Sequence, residues 1–244
     1  MWKNRKVSLV LPTYNEKDSI RSVIRDFEAQ GFVDEIVVVN NNAASGTDEE
    51  VKPTSARIVY EPRQGFGFSI QKGLKEAAGD LVVVCEPDGT FLAGDLVKLL
   101  AYSGDFDLVL GTRTTKALIW EGAYMNWPLR MGNYFVAKML EFLFNTSYLS
   151  DVGCTYRLMS AEALRRMEPL FTVTGSCFNP EMVMLAKLTG LRSIEIPVNY
   201  RERVGKSMGT KNMFNAVLLG FGMIRLILGY RVRSWFRDYE LSRV

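Results

Sequence analysis

The sequence predicts an α/β fold, with a mostly parallel central sheet flanked by helices and an apolar helix at the C-terminal end. Three observations carry this. Short β-branched-rich runs alternate with helical patterns through the first half, as βαβ units require. A chain of 244 residues, 48% hydrophobic and 23% charged, can bury one large core. After residue 210 the pattern changes, and Met213 to Tyr230 is apolar nearly all round, interrupted by Asn215 and Arg225.

The elements follow in order. Val7–Leu11 reads as a buried strand that Pro12 stops, and a helix runs from about Lys17 to Ala29. Glu35–Asn40, Arg57–Tyr60, Leu81–Cys85 and Leu108–Leu110 are further strands, with helices at about Phe66–Ala77 and Gly94–Ala101. In the second half, Trp120, Tyr124, Trp127, Tyr134 and Phe135 fall in a helical stretch reaching Phe144. The segment Asp151–Leu158, a helix near Ala161–Met167, a helix from Pro180 and a strand Ser193–Pro197 complete it. No repeat or low-complexity linker divides residues 1–210, which read as one catalytic domain with 211–244 as a helical and basic tail.

Composition removes several chemistries. With no histidine, a Ser-His-Asp triad, a Cys-His pair and a His-liganded zinc site are all impossible. A bound metal must therefore sit on carboxylates and other oxygens, a ligand set that suits Mg²⁺ or Mn²⁺. Cys85, Cys154 and Cys177 are scattered and odd in number, which points to a reducing compartment. A net charge of +3 is too mild to argue for nucleic acid. The apolar run after the basic N-terminus is too short for a signal peptide.

In open parallel sheets, ligands bind beyond the carboxyl ends of the strands. The first such end is Pro12-Thr13-Tyr14-Asn15-Glu16, where Tyr14 can stack on a base and Glu16 can accept from ribose or base donors. The second is Asn40-Asn41-Asn42 through Gly46-Thr47, whose amides can read a base edge. The third, Arg63-Gln64-Gly65-Phe66-Gly67, opens a helix whose glycines let backbone N–H groups approach a pyrophosphate, with Arg63 adding charge. The fourth, Glu86-Pro87-Asp88-Gly89-Thr90, places two carboxylates on a stiff turn as a divalent-metal and diphosphate site. Each alone reads better as an ordinary turn; the four in order do not.

Together these segments resemble the family-2 glycosyltransferases of the GT-A fold. Pro12–Glu16 is similar to the family's P-x-Y-N-E, Asn40–Thr47 to its Asp-rich loop, Gln64–Gly73 to its Gly-rich helix start and Glu86–Asp88 to its D-x-D. The resemblance spans roughly residues 7–210. Asn40 and Asn41 stand where the family has an Asp pair, so base identity stays open. Glu86 replaces the first Asp of D-x-D, which makes Asp88 the principal metal ligand and Glu86 a ribose or outer contact.

Downstream, Gly111-Thr112-Arg113, Asp151–Arg157 and Tyr200–Ser207 resemble elements of the polyprenyl-phosphate sugar synthases, the dolichyl-phosphate mannose synthase group. Met208 stands where that group has a lysine, with Lys206 and Lys211 as substitutes. The resemblance implies an inverting transfer from a UDP- or GDP-sugar to a polyprenyl phosphate. Arg113 and Arg203, then Arg130, Arg157 and Ser207, would hold the acceptor phosphate. A phosphate acceptor is already ionised; a hydroxyl acceptor would need a base, for which Asp151 is the candidate. Asn179-Pro180-Glu181 reads as a plain helix start.

The apolar tail is short for crossing a bilayer, and Arg231, Arg233 and Arg237 with Trp235 and Phe236 suit an anionic membrane surface. A docking helix is the competing reading, and such a tail can also dimerise. Trp120, Trp127, Tyr134 and Phe135 are an acyl-chain groove, an interface helix or buried packing. The expectation is thus a cytoplasmic enzyme peripheral to a membrane. Two alternatives remain: a hydroxyl acceptor, or a nucleotide-binding domain that has lost activity.

Overall fold

The structure, a computed structural model, describes residues 1–205 and 213–236. Ser207, with Lys206, Met208, Lys211 and Arg237, lies outside the described residues. Strands β1 (Val7–Thr13), β2 (Glu35–Asn40), β3 (Arg57–Tyr60), β4 (Leu81–Val84), β5 (Leu108–Thr112), β6 (Arg157–Ser160) and β7 (Ser193–Pro197) form one sheet in the order β3-β2-β1-β4-β6-β5-β7. Every pairing is parallel except those of β6, which runs antiparallel between β4 and β5. The GT-A-like architecture expected from the sequence is therefore present.

Both sheet faces are covered, so the central strands are apolar throughout. On β1, Val7, Leu9 and Leu11 face one cluster, with Ile20, Ile24 and Phe27 of α1 (Lys17–Glu28) and Leu96, Leu99 and Leu100 of α4 (Leu96–Tyr102). Val10 faces the other, with Ile70 and Leu74 of α3 (Phe66–Glu76) and the buried sides of α5 (Trp127–Phe144), α6 (Ala161–Met167) and α7 (Phe178–Leu188). The short α2 (Thr47–Val51) follows Gly46, whose φ of 89° is left-handed.

Helix α3 crosses β1 so closely that a Cβ on Gly73 would sit 2.2 Å from Val10 Cγ1 and 2.9 Å from Val39 Cγ2. Gly73→Ala is expected to lower stability by about 2 kcal/mol, because overpacking outweighs the gain in helix propensity. Urea unfolding checks this; unchanged stability would mean that the helix moves outward at no cost.

Three local expectations are corrected. Pro12 does not stop β1: the strand runs to Thr13, and Pro12 pairs in register with Val39. It is tolerated because β4 pairs with β1 only through Val10, so no acceptor awaits an N–H at Pro12. Helix α5 begins at Trp127, not at Trp120. Asn126 caps it by accepting from Leu129 N, and Pro128 fills the first turn. Gly122 before it is left-handed at φ 82°, and Trp120 and Tyr124 belong to that loop. Helix α7 begins at Phe178 with Cys177 at its cap, so Asn179 lies inside it.

Helix α8 (Met213–Arg233) packs Met223, Ile227 and Tyr230 into the core shared with α5 and α7. Those positions recur at helical spacing on one stripe. Phe214, Val217, Leu218, Phe221, Leu228 and Val232 remain exposed, as do Trp127, Met131, Phe135 and Phe142 of α5. The segment Phe214–Arg233 is long and apolar enough to cross a membrane by length and composition. The docking-helix reading thus holds for one face of α8 and leaves its other faces apolar and open.

Candidate active site

The carboxyl ends of β1, β2 and β4 converge as the open-sheet rule requires, and the acidic turn after β4 is their centre. Asp88, 2% exposed, accepts from Thr90 N at 3.0 Å and Thr90 Oγ1 at 2.6 Å through Oδ1. That leaves Oδ2 facing the cleft, 3.1 Å from Arg203 Nη1. Glu86 accepts from Thr155 Oγ1 at 2.6 Å and lies 3.8 Å from the same guanidinium nitrogen. Burial, and then the charge of Asp88, push the Glu86 carboxyl up to about 7. Burial also raises Asp88, against the opposing pull of Arg203.

Arg203 therefore sits with the acidic groups, not apart from them as an acceptor-phosphate contact. Its Nη2 also binds Glu16 Oε1 at 2.6 Å, and Nε is buried with no partner among the described residues. A delocalised cation bridging three carboxylates shows that this pocket is built around positive charge. Asp88 and Glu86 are the carboxylates here that could serve a divalent ion, and Arg203 is now paired with both. The described residues contain no cluster of three or more His, Cys, Asp or Glu that could coordinate a metal alone.

The expected base and ribose contacts are mostly engaged in shaping their own loops. Glu16 Oε2 accepts from Tyr14 N at 2.7 Å and Asn15 N at 2.9 Å, which holds its own turn, while Oε1 meets Arg203. Asn40 accepts from Ala43 N at 2.8 Å and donates to Asp48 Oδ1 at 2.7 Å, which turns its amide into the loop and away from a base. Asn42, left-handed at φ 55°, donates to Pro62 O and to Gln64 Oε1. Buried Asn41 clamps the two loops, donating to Glu61 O and Arg63 O and accepting from Gly65 N and Gln64 Nε2. Tyr14 is half-buried beside this clamp, while Tyr60, exposed at the end of β3, donates to Asp48.

The glycines that open α3 serve packing. A Cβ on Gly65 or Gly67 would lie 2.6 Å from backbone atoms of Val173 and Thr174, and Phe68 N donates to Thr174 O. Their expected role as an open pyrophosphate cradle is corrected accordingly. Arg63 stays exposed, paired with Glu61 at 2.8 Å, which holds the Glu61 carboxyl down near about 2.

Beyond β5 the geometry changes sign. Asp151, 1% exposed, takes Arg113 in a two-point grip, Nε to Oδ2 at 2.7 Å and Nη2 to Oδ1 at 2.9 Å. It also accepts from Arg113 N and Gly153 N. Burial works against its ionisation, but Arg113 overrides this and holds the carboxyl below the usual carboxylate range. A carboxylate so engaged is a poor proton acceptor, which corrects its candidacy as the general base. The Arg113 guanidinium also lies 5.4 Å over the Tyr200 ring and hydrogen-bonds its hydroxyl. Tyr200 thereby joins the site; only the fold brings it beside the acidic turn.

Arg157 does not reach the site. At 1% exposure it donates to Cys154 O and Asn179 O, so burial excludes the phosphate contact expected of it. Burial pushes its guanidinium down to about 10. Arg130, at the start of α5, lines an open cavity of about 380 Å³ with Thr112, Thr114, Tyr134, Ser150 and Glu195. Glu181 is no plain helix-start acid: wholly buried, it accepts from Thr172 N, Thr172 Oγ1, Val173 N and Tyr230 OH.

Residues 8–167 match the model of the family described as glycosyl transferase family 2. An uncharacterized glycosyltransferase of Mycobacterium tuberculosis is 30% identical over 200 residues, covering 82% of this chain and 87% of the relative. A dolichyl-phosphate beta-glucosyltransferase of Trichomonas vaginalis is 25% identical, covering 94% of this chain and 75% of its own. Among solved structures, glucosyl-3-phosphoglycerate synthase of Mycobacterium tuberculosis, in complex with Mn²⁺, UDP and glucosyl-3-phosphoglycerate, superposes with a TM-score of 0.72. Its identity is 18%, covering 93% of this chain and 80% of that one.

Proposed function

The chain is a glycosyltransferase of family 2, and from that premise we propose that it moves a sugar from a UDP- or GDP-sugar to a polyprenyl phosphate. The observation that carries the phosphate acceptor is the Arg113 cation, fixed by Asp151 next to the Glu86–Asp88 turn. An anion held there meets the donor's anomeric carbon without any base. Supporting the lipid is α5, which lines the cavity with Arg130 and Tyr134 and exposes Trp127, Met131 and Phe135 beside the open face of α8. That surface suits the cytoplasmic face of a membrane, with residues 1–210 catalytic and 211–244 the anchor. The dolichyl-phosphate relative agrees with this reading.

The site residues divide the work. Tyr14 and the Asn41 clamp border the nucleotide, while Arg63 and Gln64 flank its entry. Asp88, with Glu86, would hold Mg²⁺ or Mn²⁺, the ion named with the glucosyl-3-phosphoglycerate synthase. When bound, the ion neutralises charge on the departing nucleoside diphosphate. Arg113 and Arg130 draw in and orient the acceptor. The bond from the anomeric carbon to the diphosphate oxygen breaks as the acceptor oxygen bonds to that carbon from the opposite side. No proton needs a new home.

A second reading has its own support. The cavity beside Arg130 is rich in hydroxyls, from Thr112, Thr114, Thr115 and Ser150, and suits a small soluble phosphate as well as a lipid head. Labelled UDP- and GDP-sugars with Mn²⁺, offered a polyprenyl phosphate, 3-phosphoglycerate or a saccharide, separate these readings. Label in an organic-soluble, acid-labile product is expected. Label confined to 3-phosphoglycerate or a saccharide would reject the lipid acceptor.

A further inference from the structure

Glu195 of β7 has no part in the donor site, yet it lines the cavity that holds Arg130 and bonds to the turn that grips Arg113. Ile194 and Ile196 face the α1 side of the sheet, so Glu195 points to the other. Its carboxylate accepts from Ser150 N at 2.7 Å, Ser150 Oγ at 2.7 Å and Asp151 N at 2.7 Å. Ser150 Oγ in turn contacts Thr112 Oγ1 at 2.9 Å and Thr114 Oγ1 at 2.6 Å. One acidic side chain thus ties the 150–151 turn to the strand end that carries Arg113. Asp151 then fixes the arginine by accepting from three of its atoms, N, Nε and Nη2.

We propose that Glu195 is a positioning residue for the acceptor: it locks the 150–151 turn, and through Asp151 it sets where Arg113 presents its guanidinium. The inference rests on the phosphate-acceptor reading for its consequence, but its geometry can be tested separately. A carboxylate can accept from both backbone amides and the hydroxyl at once. A carboxamide at the same place would turn an NH₂ toward N–H donors and lose part of that hold.

Burial pushes the Glu195 carboxyl up to about 7, against the stabilising hydrogen bonds from Ser150 and Asp151. The charged and titratable groups around it are Asp151 and, beyond it, Arg113 on the β5 side, with Arg130, Tyr134 and Tyr148 around the cavity. Because the folded value lies above the ordinary 4.5, the contribution to stability is complete below 4.5 and is lost as pH rises through about 7. The ionised form that grips the turn best is therefore the one the fold tolerates least. Acceptor binding should weaken as pH falls through about 7.

The test compares the wild type with Glu195→Gln. The expected result is an acceptor KM raised about three- to tenfold at pH 8, with kcat and the donor KM nearly unchanged. The ratio of variant to wild-type KM should shrink toward one at pH 6. Because the acceptor phosphate itself titrates near 6, only that ratio at matched pH is used. In parallel, the Arg113 Nε–H resonance of the ligand-free protein should differ between wild type and Glu195→Gln at pH 8, and that difference should shrink toward pH 6; Glu86, which also titrates at about 7 beside Arg113, shifts both proteins alike. A resonance unmoved by the substitution at pH 8 would overturn the proposal. So would a variant that loses melting temperature while keeping the acceptor KM. A wild type that transfers to no phosphate acceptor rejects the function proposed above, and the resonance then decides the Glu195 link alone.

Discussion

Asp88→Asn is expected to lower kcat/KM for sugar transfer by about a thousandfold, close to 4 kcal/mol of transition-state stabilisation. The substitution is nearly isosteric. Its Oδ1 contacts to Thr90 can survive, and Val204 N still donates to the Asp88 backbone carbonyl at 2.9 Å. What disappears is the one carboxylate oxygen turned toward the cleft, now paired with Arg203 at 3.1 Å. Glu86 cannot replace it readily, because Thr155 holds it and burial alone still favours its protonated form. The checks are initial rates with labelled donor, and calorimetric titration of UDP and GDP with and without Mn²⁺. Loss of the Mn²⁺-dependent part of nucleotide binding should accompany the loss of rate. Activity within tenfold of the wild type would place the metal elsewhere.

The second large effect is on stability. Asp151→Ala is expected to cost about 3–5 kcal/mol, because it strands the Arg113 guanidinium in the interior with no counter-charge. Arg113 is only 15% exposed in its side chain, and Asp151 is completely enclosed. Two further donors, Arg113 N and Gly153 N, lose their acceptor in the same change. Chemical denaturation at pH 7 measures it. The wild-type advantage should fade as the solution is acidified. A carboxyl held below its ordinary value contributes stability above that value and loses it as pH falls through the folded one. Asp151→Asn should cost less, since it keeps one acceptor for the guanidinium. A cost below about 1 kcal/mol for the alanine variant would mean that Arg113 finds water or swings out.

Several of these residues were legible from type and spacing. Asp88 stood out because an apolar strand runs straight into an acidic turn, and strand ends are where ligands bind. Arg113 was legible through the resemblance of Gly111-Thr112-Arg113 to a family element after the fifth strand. Glu195 gave no such signal, since one acid in a strand reads as an ordinary exposed position until β7 is laid beside β5. Arg157 carried a misleading signal: a basic residue beside a suggestive motif was buried when β6 ran antiparallel through the middle of the sheet. The Gly65 and Gly67 pair was read as a ligand cradle because local sequence cannot show that the 173–174 loop returns to cover it.

The sequence alone determined the βαβ alternation, the strand ends that face a ligand, the exclusion of histidine chemistry and the apolar tail. All follow from side-chain periodicity and from what each residue type can do chemically. Only the tertiary structure decided which charges meet. Arg203 joins Glu16 and Asp88 across 187 and 115 residues of chain, respectively, and Asp151 closes on Arg113 rather than on a substrate proton. It also decided that α8 shares its buried stripe with α5 and α7 and leaves the rest open. Long-range charge pairing and the choice of a covered face depend on packing directions that no local window of sequence contains.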